Sequence, residues 1–100
     1  MNITLEYDGI KASERLEDLL YKKLNRLRSK FNFIVQVHVF LRKQQTRSPL
    51  SGKICKIQLS VPGPQLFAEA NSNSFESSIN ETIHELDRQL SKKKEKMRSH

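Results

Sequence analysis

One hundred residues supply one hydrophobic core and not two. With 36% hydrophobic and 29% charged residues, and only 3 Gly and 3 Pro, the chain is expected to fold rather than stay disordered. Eighteen Lys and Arg against eleven Asp and Glu leave a net charge of +7, which favours a polyanionic partner.

No run approaches the ~20 apolar residues that span a bilayer, and no membrane partner is expected. The opening MNITLEYDGI has neither a basic n-region nor an apolar h-region, so a secretory signal is not expected. The single cysteine, Cys55, excludes an internal disulfide and fits a reducing, cytoplasmic setting. Its place in an apolar strand pattern predicts a buried thiol rather than a reactive one.

Residues 1–7 alternate Met1, Ile3, Leu5 and Tyr7 with polar neighbours, the period of a half-buried strand that ends at Asp8-Gly9. From Ser13, a predicted N-cap, to about Lys30 the period becomes helical, with Leu16, Leu20, Leu24, Leu27 and Phe31 three or four apart. Acids come early in this helix and bases late, as the macrodipole favours. Alternation returns from Phe33 to Arg42, with Phe33, Val35, Val37, Val39 and Leu41 predicted on one face.

A polar loop, KQQTRSPLSG, leads to a third strand of Cys55, Ile57, Leu59 and Val61, closed by Pro62-Gly63-Pro64. Leu66, Ala68 and Ala70 make a short fourth strand. Asn73 followed by Glu76 is a capping-box-like start. Phe75, Ile79, Ile83, Leu86, Leu90 and Met97 then carry a second helix of roughly 35–40 Å.

The order β-α-β-β-β-α predicts an α+β two-layer sandwich: one domain over residues 1–100, with about 96–100 frayed. Each strand has one apolar face, so both helices are expected on the same side of a four-stranded sheet. The helical crossover permits strands one and two to be parallel, and short turns make the others antiparallel. Phe40, Phe67, Ile34 and Ile54 are expected on the opposite, wet face.

The bases are clustered. Residues 22–30 hold five and no acid, residues 42–56 hold five and no acid, and residues 88–98 hold six with only Glu95. Helical stacking at intervals of four aligns Lys22, Arg26 and Lys30 above Arg15, and Arg88, Lys92 and Lys96 on the second helix. Two such rows on one sheet face predict a continuous cationic surface suited to phosphates. No aromatic residue interrupts them, which favours folded RNA, read by backbone and shape, over stacked single strands.

No catalytic pattern stands out. His38, His84 and His100 lack ligand spacing, and the glycines form no phosphate-cradling loop, so neither enzyme, cofactor, metal nor small-molecule substrate is expected. A protein-interaction module, using the same helices or the Phe40/Phe67 face, is the alternative reading.

The strand FIVQVHVFLRK, the tail LDRQLSKKKEKM and the stretch KIQLSVPGPQLFAEANSNSFE resemble the short ribosome hibernation promoting factors and ribosome-associated translation inhibitors, the sigma-54 modulation proteins. The likeness covers essentially the whole chain. It implies a fold similar to double-stranded RNA-binding domains; when free, the chain is expected to be a monomer. It further implies binding to the small ribosomal subunit, its rRNA and ribosomal proteins, in the channel between head and body. Blocking mRNA and tRNA there would stop translation and protect idle ribosomes in starved or stationary cells. By the same resemblance Lys22, Lys23, Arg26, Lys30, Arg42, Arg88, Lys92, Lys93 and Lys96 would contact rRNA.

One family motif departs. Its Asp-x-Tyr-x-x-Ile-Asp falls on Ser74 to Asn80, where Ile79 alone matches. Ending at His100, the sequence is expected to lack the C-terminal dimerisation domain of long members.

Overall fold

In the computed structural model, which describes residues 2–98, the chain runs β1 (Asn2–Asp8), α1 (Glu14–Lys30), β2 (Gln36–Lys43), β3 (Lys53–Ser60), β4 (Leu66–Ser72) and α2 (Phe75–Arg98). The predicted element order and the α+β two-layer architecture are both present. The sheet order is β1-β2-β3-β4, with β1 parallel to β2 and the remaining pairs antiparallel. Met1, Ser99 and His100 lie outside the described residues, while α2 continues through Arg98.

One cluster of buried side chains joins the helices to one side of the sheet. Leu16, Leu20, Leu24 and Leu27 of α1 meet Val37, Val39, Leu41, Cys55, Ile57 and Leu59. Ile79, Leu86 and Leu90 of α2 complete it, fully removed from water. Ser13 caps α1 as predicted, its hydroxyl accepting from Leu16 N at 3.3 Å. Tyr7 Oη donates to Glu17 Oε2 at 2.7 Å and ties α1 to β1. Burial and that hydrogen bond push the Tyr7 phenol above its ordinary pKa. Burial likewise pushes the Cys55 thiol up to about 12, so it is inert at neutral pH.

Four expectations need correction. β2 begins at Gln36, not Phe33, because the chain turns at Asn32–Phe33 and Ile34 N donates back to Phe31 O at 3.3 Å. That turn resets the alternation: Ile34 is buried in the core, and Val35 is 63% exposed. Ile54 does point to the open side, yet it is only 4% exposed, covered by its neighbours there. The helix cap of α2 is Ser74, not Asn73, since Ser74 Oγ accepts from Ser77 N at 3.1 Å. Met97, expected on the apolar face, is 45% exposed beyond the end of the core.

Two buried hydroxyls pin α2 to the sheet. Ser78 Oγ donates to the Lys53 carbonyl, and Thr82 Oγ1 lies 3.3 Å from the Cys55 carbonyl and 2.7 Å from that of Ser78. Both hydroxyls are buried, and each is satisfied by these carbonyls.

Candidate nucleic-acid interface

The two helices lie side by side on the sheet and leave a groove between them. Lys23, Arg26 and Lys30 line it from α1; Asn80, Ile83, His84 and Asp87 line it from α2. Further along, Ser29, Lys30 and Phe31 face Ser91, Lys94, Glu95 and Arg98. Core residues of α1 recur on one face, so the flank that carries Lys23, Arg26 and Lys30 turns toward α2 by helical geometry. Lys22 sits a step further toward solvent on the same side.

On α2 the predicted row divides. Arg88 and Lys92 lie on the outer surface with His84, Ser91 and Glu95. At 100° per residue, Lys96 falls beside Gln89, whose amide donates to the Phe67 carbonyl on β4 at 3.1 Å. The side that faces α1 instead carries Lys94 and Arg98, which the spacing argument passed over. Lys94 Nζ reaches the Lys30 carbonyl at 3.4 Å, and it and Lys30 Nζ stand 5.8 and 5.3 Å from the Phe31 ring centroid. The signal was present: Lys94 lies seven residues after Asp87, two turns along one flank.

Two predicted residues lie elsewhere. Arg42 is on the open face of the sheet, lining a cavity with Phe40 and Ile54. Lys93 faces the β3–β4 turn, its Nζ packed beside Gly63.

Carboxylates enter the cationic surface at Glu95, which lies beside Lys92 and Lys94, and in three ion pairs. Lys30 Nζ binds Asp87 Oδ2 at 2.8 Å across the groove. Arg88 Nε donates to Glu85 Oε2 at 3.0 Å and holds that carboxyl down to about 2. Arg15 pairs with Glu76 at the other end and lowers its pKa. These pairs are solvent-exposed, so screening by water leaves them little part in stability. Lys22, Lys23, Arg26 and Lys92 make no ion pair among the described residues. Their charge is available to a ligand.

The Lys30–Asp87 pair makes a specific prediction. Asp87→Asn removes the carboxylate that holds Lys30 across the groove and so frees Lys30. Affinity for RNA should rise several-fold at fixed salt, with a salt dependence steeper by about one phosphate contact. Filter binding across a salt series checks both. Thermal stability should change by less than about 1 kcal/mol.

No three His, Cys, Asp or Glu side chains come together as a metal site among the described residues. No described helix is long and apolar enough to cross a membrane.

Known proteins resemble this chain in sequence and in fold. The ribosome hibernation promoting factor of Pseudomonas putida is 27% identical over 99 residues, covering 99% of this chain and 92% of that one. That of Escherichia coli K12 is 26% identical over 100 residues, the full length of both. Among solved structures, a ribosomal subunit interface protein from Coxiella burnetii superposes with a TM-score of 0.80 at 29% identity, covering 94% of this chain and 98% of that one. The N-terminal domain of Thermus thermophilus Protein Y shares the fold, with a TM-score of 0.77 at 20% identity over 92% of this chain and 98% of its own. The family model described as sigma 54 modulation protein / S30EA ribosomal protein matches residues 3–98. This chain belongs to the sigma 54 modulation protein / S30EA ribosomal protein family.

Proposed function

We propose that this protein binds the small ribosomal subunit through its helical layer and, by occupying the mRNA and tRNA channel there, holds the ribosome idle. One observation carries the reading: Lys23, Arg26 and Lys30 of α1 line the groove beside α2, and Lys94 and Arg98 of α2 join Lys30 further along it. Lys22, Arg88, Lys92 and Lys96 extend that charge outward on the helices. The names of the relatives support the partner, since they are hibernation promoting factors and a ribosomal subunit interface protein. Like its family, the chain is a binding protein and not an enzyme.

In this mechanism the protein makes and breaks no bond. Exposed ammonium and guanidinium groups displace counterions from rRNA phosphates, and the 24-residue α2 supplies a rigid edge along which contacts form together. Bound protein excludes mRNA and tRNA by volume. The protein works as a monomer in the cytoplasm, where its partner is, and serves cells that have stopped growing.

Sucrose-gradient sedimentation with purified subunits tests this. The protein should travel with small subunits at low salt. Travel with large subunits alone, or with neither, would contradict the reading.

A further inference from the structure

The uncovered face of the sheet carries chemistry that the helical layer does not use. In register across the strands stand Thr4, His38, Gln58 and Phe67, then Glu6, Phe40, Lys56 and Glu69, then Asp8, Arg42, Ile54 and Asn71. Phe67 is 61% exposed, an unusual place for a ring of that size. His38 stacks on Phe40 with centroids 4.2 Å apart and planes 22° apart. Between the two phenylalanines sits Lys56, its Nζ 5.8 Å from the Phe40 centroid and 6.0 Å from that of Phe67. Beside Phe40 opens a cavity of about 290 Å³, floored by the buried Ile54 and rimmed by Arg42, Lys56, Glu6 and Asp8.

We propose that this face is a second RNA site, which holds unpaired nucleotides by stacking: one base on Phe67, another in the cavity beside Phe40. Lys56 and Arg42 then meet the linking phosphates. Glu6 and Asp8 accept hydrogen bonds from exocyclic amino groups or ribose hydroxyls.

The alternation of ring, cation and ring matches the alternation of base and phosphate along a single strand. Stacking platforms of this composition take any base, because every base offers a π-face. The acids explain why the site differs from the helical one. Arg42 and Lys56 face Glu6, Asp8 and Glu69, so the charge here is nearly balanced and phosphate attraction alone holds nothing. The binding must come from the rings. A folded protein partner fits less well, since the two rings are split by an ammonium and ringed by Thr4, Gln58 and Asn71, with no continuous apolar core for an interface. The sheet separates this face from the helices, so both sites can be filled at once. The chain's net +7 draws the strand in at long range.

Fluorescence anisotropy with a labelled 12-nucleotide oligoadenylate, at near-physiological salt, tests the site apart from the ribosome. A strand of equal length without bases is the comparison. The intact strand should bind about tenfold more tightly than the abasic one, and Phe67→Ala should weaken it about tenfold. The exposed position of Phe67 keeps that variant folded, which its melting curve checks. In a chain with Lys22, Arg26 and Lys92 changed to Glu, the preference for the intact strand should persist even as ribosome binding fails. Equal affinity for the two strands, an unchanged Phe67→Ala, or loss of the preference in the helix variant each overturns the proposal.

Discussion

Changing Lys22, Arg26 and Lys92 together to Glu should abolish co-sedimentation with small ribosomal subunits and leave the fold intact. Each reversal removes two charges, so the net charge falls from +7 to +1. Three lost phosphate contacts weaken binding at physiological salt by one to two orders of magnitude, and three carboxylates set against rRNA add repulsion. None of the three residues makes an ion pair among the described residues, so no partner is stranded by the change. All three are exposed. Surface substitutions of this kind cost within about 0.5 kcal/mol, and relief of repulsion among the neighbouring bases offsets part of that. Circular dichroism melts should therefore overlay those of the parent chain, while the gradient profile shows the variant at the top of the tube. Co-sedimentation retained by this variant would remove the helical layer from the account.

Leu86→Ala should have the largest effect on stability. Leu86 is fully buried where α2 crosses the sheet, among Ile79, Leu90 and the inward residues of β3. Truncation there costs the transfer of the lost methyl groups plus the cavity they leave, about 2–5 kcal/mol. For a domain of this size that lowers Tm by on the order of 10–30 °C. Binding should fail for a different reason than in the charge variant. An unmoored α2 no longer holds Lys94 and Arg98 beside Lys30, in line with Lys23 and Arg26. Cooling Leu86→Ala well below its melting point should restore co-sedimentation, whereas cooling the charge variant should not. The pair of variants thus separates the scaffold from the surface.

Much of this was legible in residue order. The leucines at 16, 20, 24 and 27 mark the buried stripe of α1 without further help, and Ser13 caps it where a hydroxyl is expected. The parallel β1–β2 pair follows from a crossover long enough to hold a helix. What failed to read through was set by tertiary packing. The turn at Asn32–Phe33 exchanges the fates of Ile34 and Val35, and strict alternation cannot register a turn that adds no Gly or Pro. Ser78 and Thr82 look like polar interruptions, yet both are buried and reach β3 carbonyls.

The site was legible to the same degree. Charge clustering pointed to the two helices of the proposed site, and stacking at intervals of four aligned the α1 residues. On α2 the same rule chose the outer row, Arg88, Lys92 and Lys96, because nothing local says which flank turns toward α1. That depends on where α1 lies, and it is Lys94 and Arg98 that face it. Arg42 belongs to the opposite side of the sheet, since strand parity places it with Phe40.

The central claim is electrostatic attachment of the helical layer to rRNA, and salt tests it most directly. Affinity for purified small subunits should fall by roughly a thousandfold or more between 50 and 200 mM monovalent salt, as six to ten neutralised phosphates require. Affinity that stayed level across that range would contradict it.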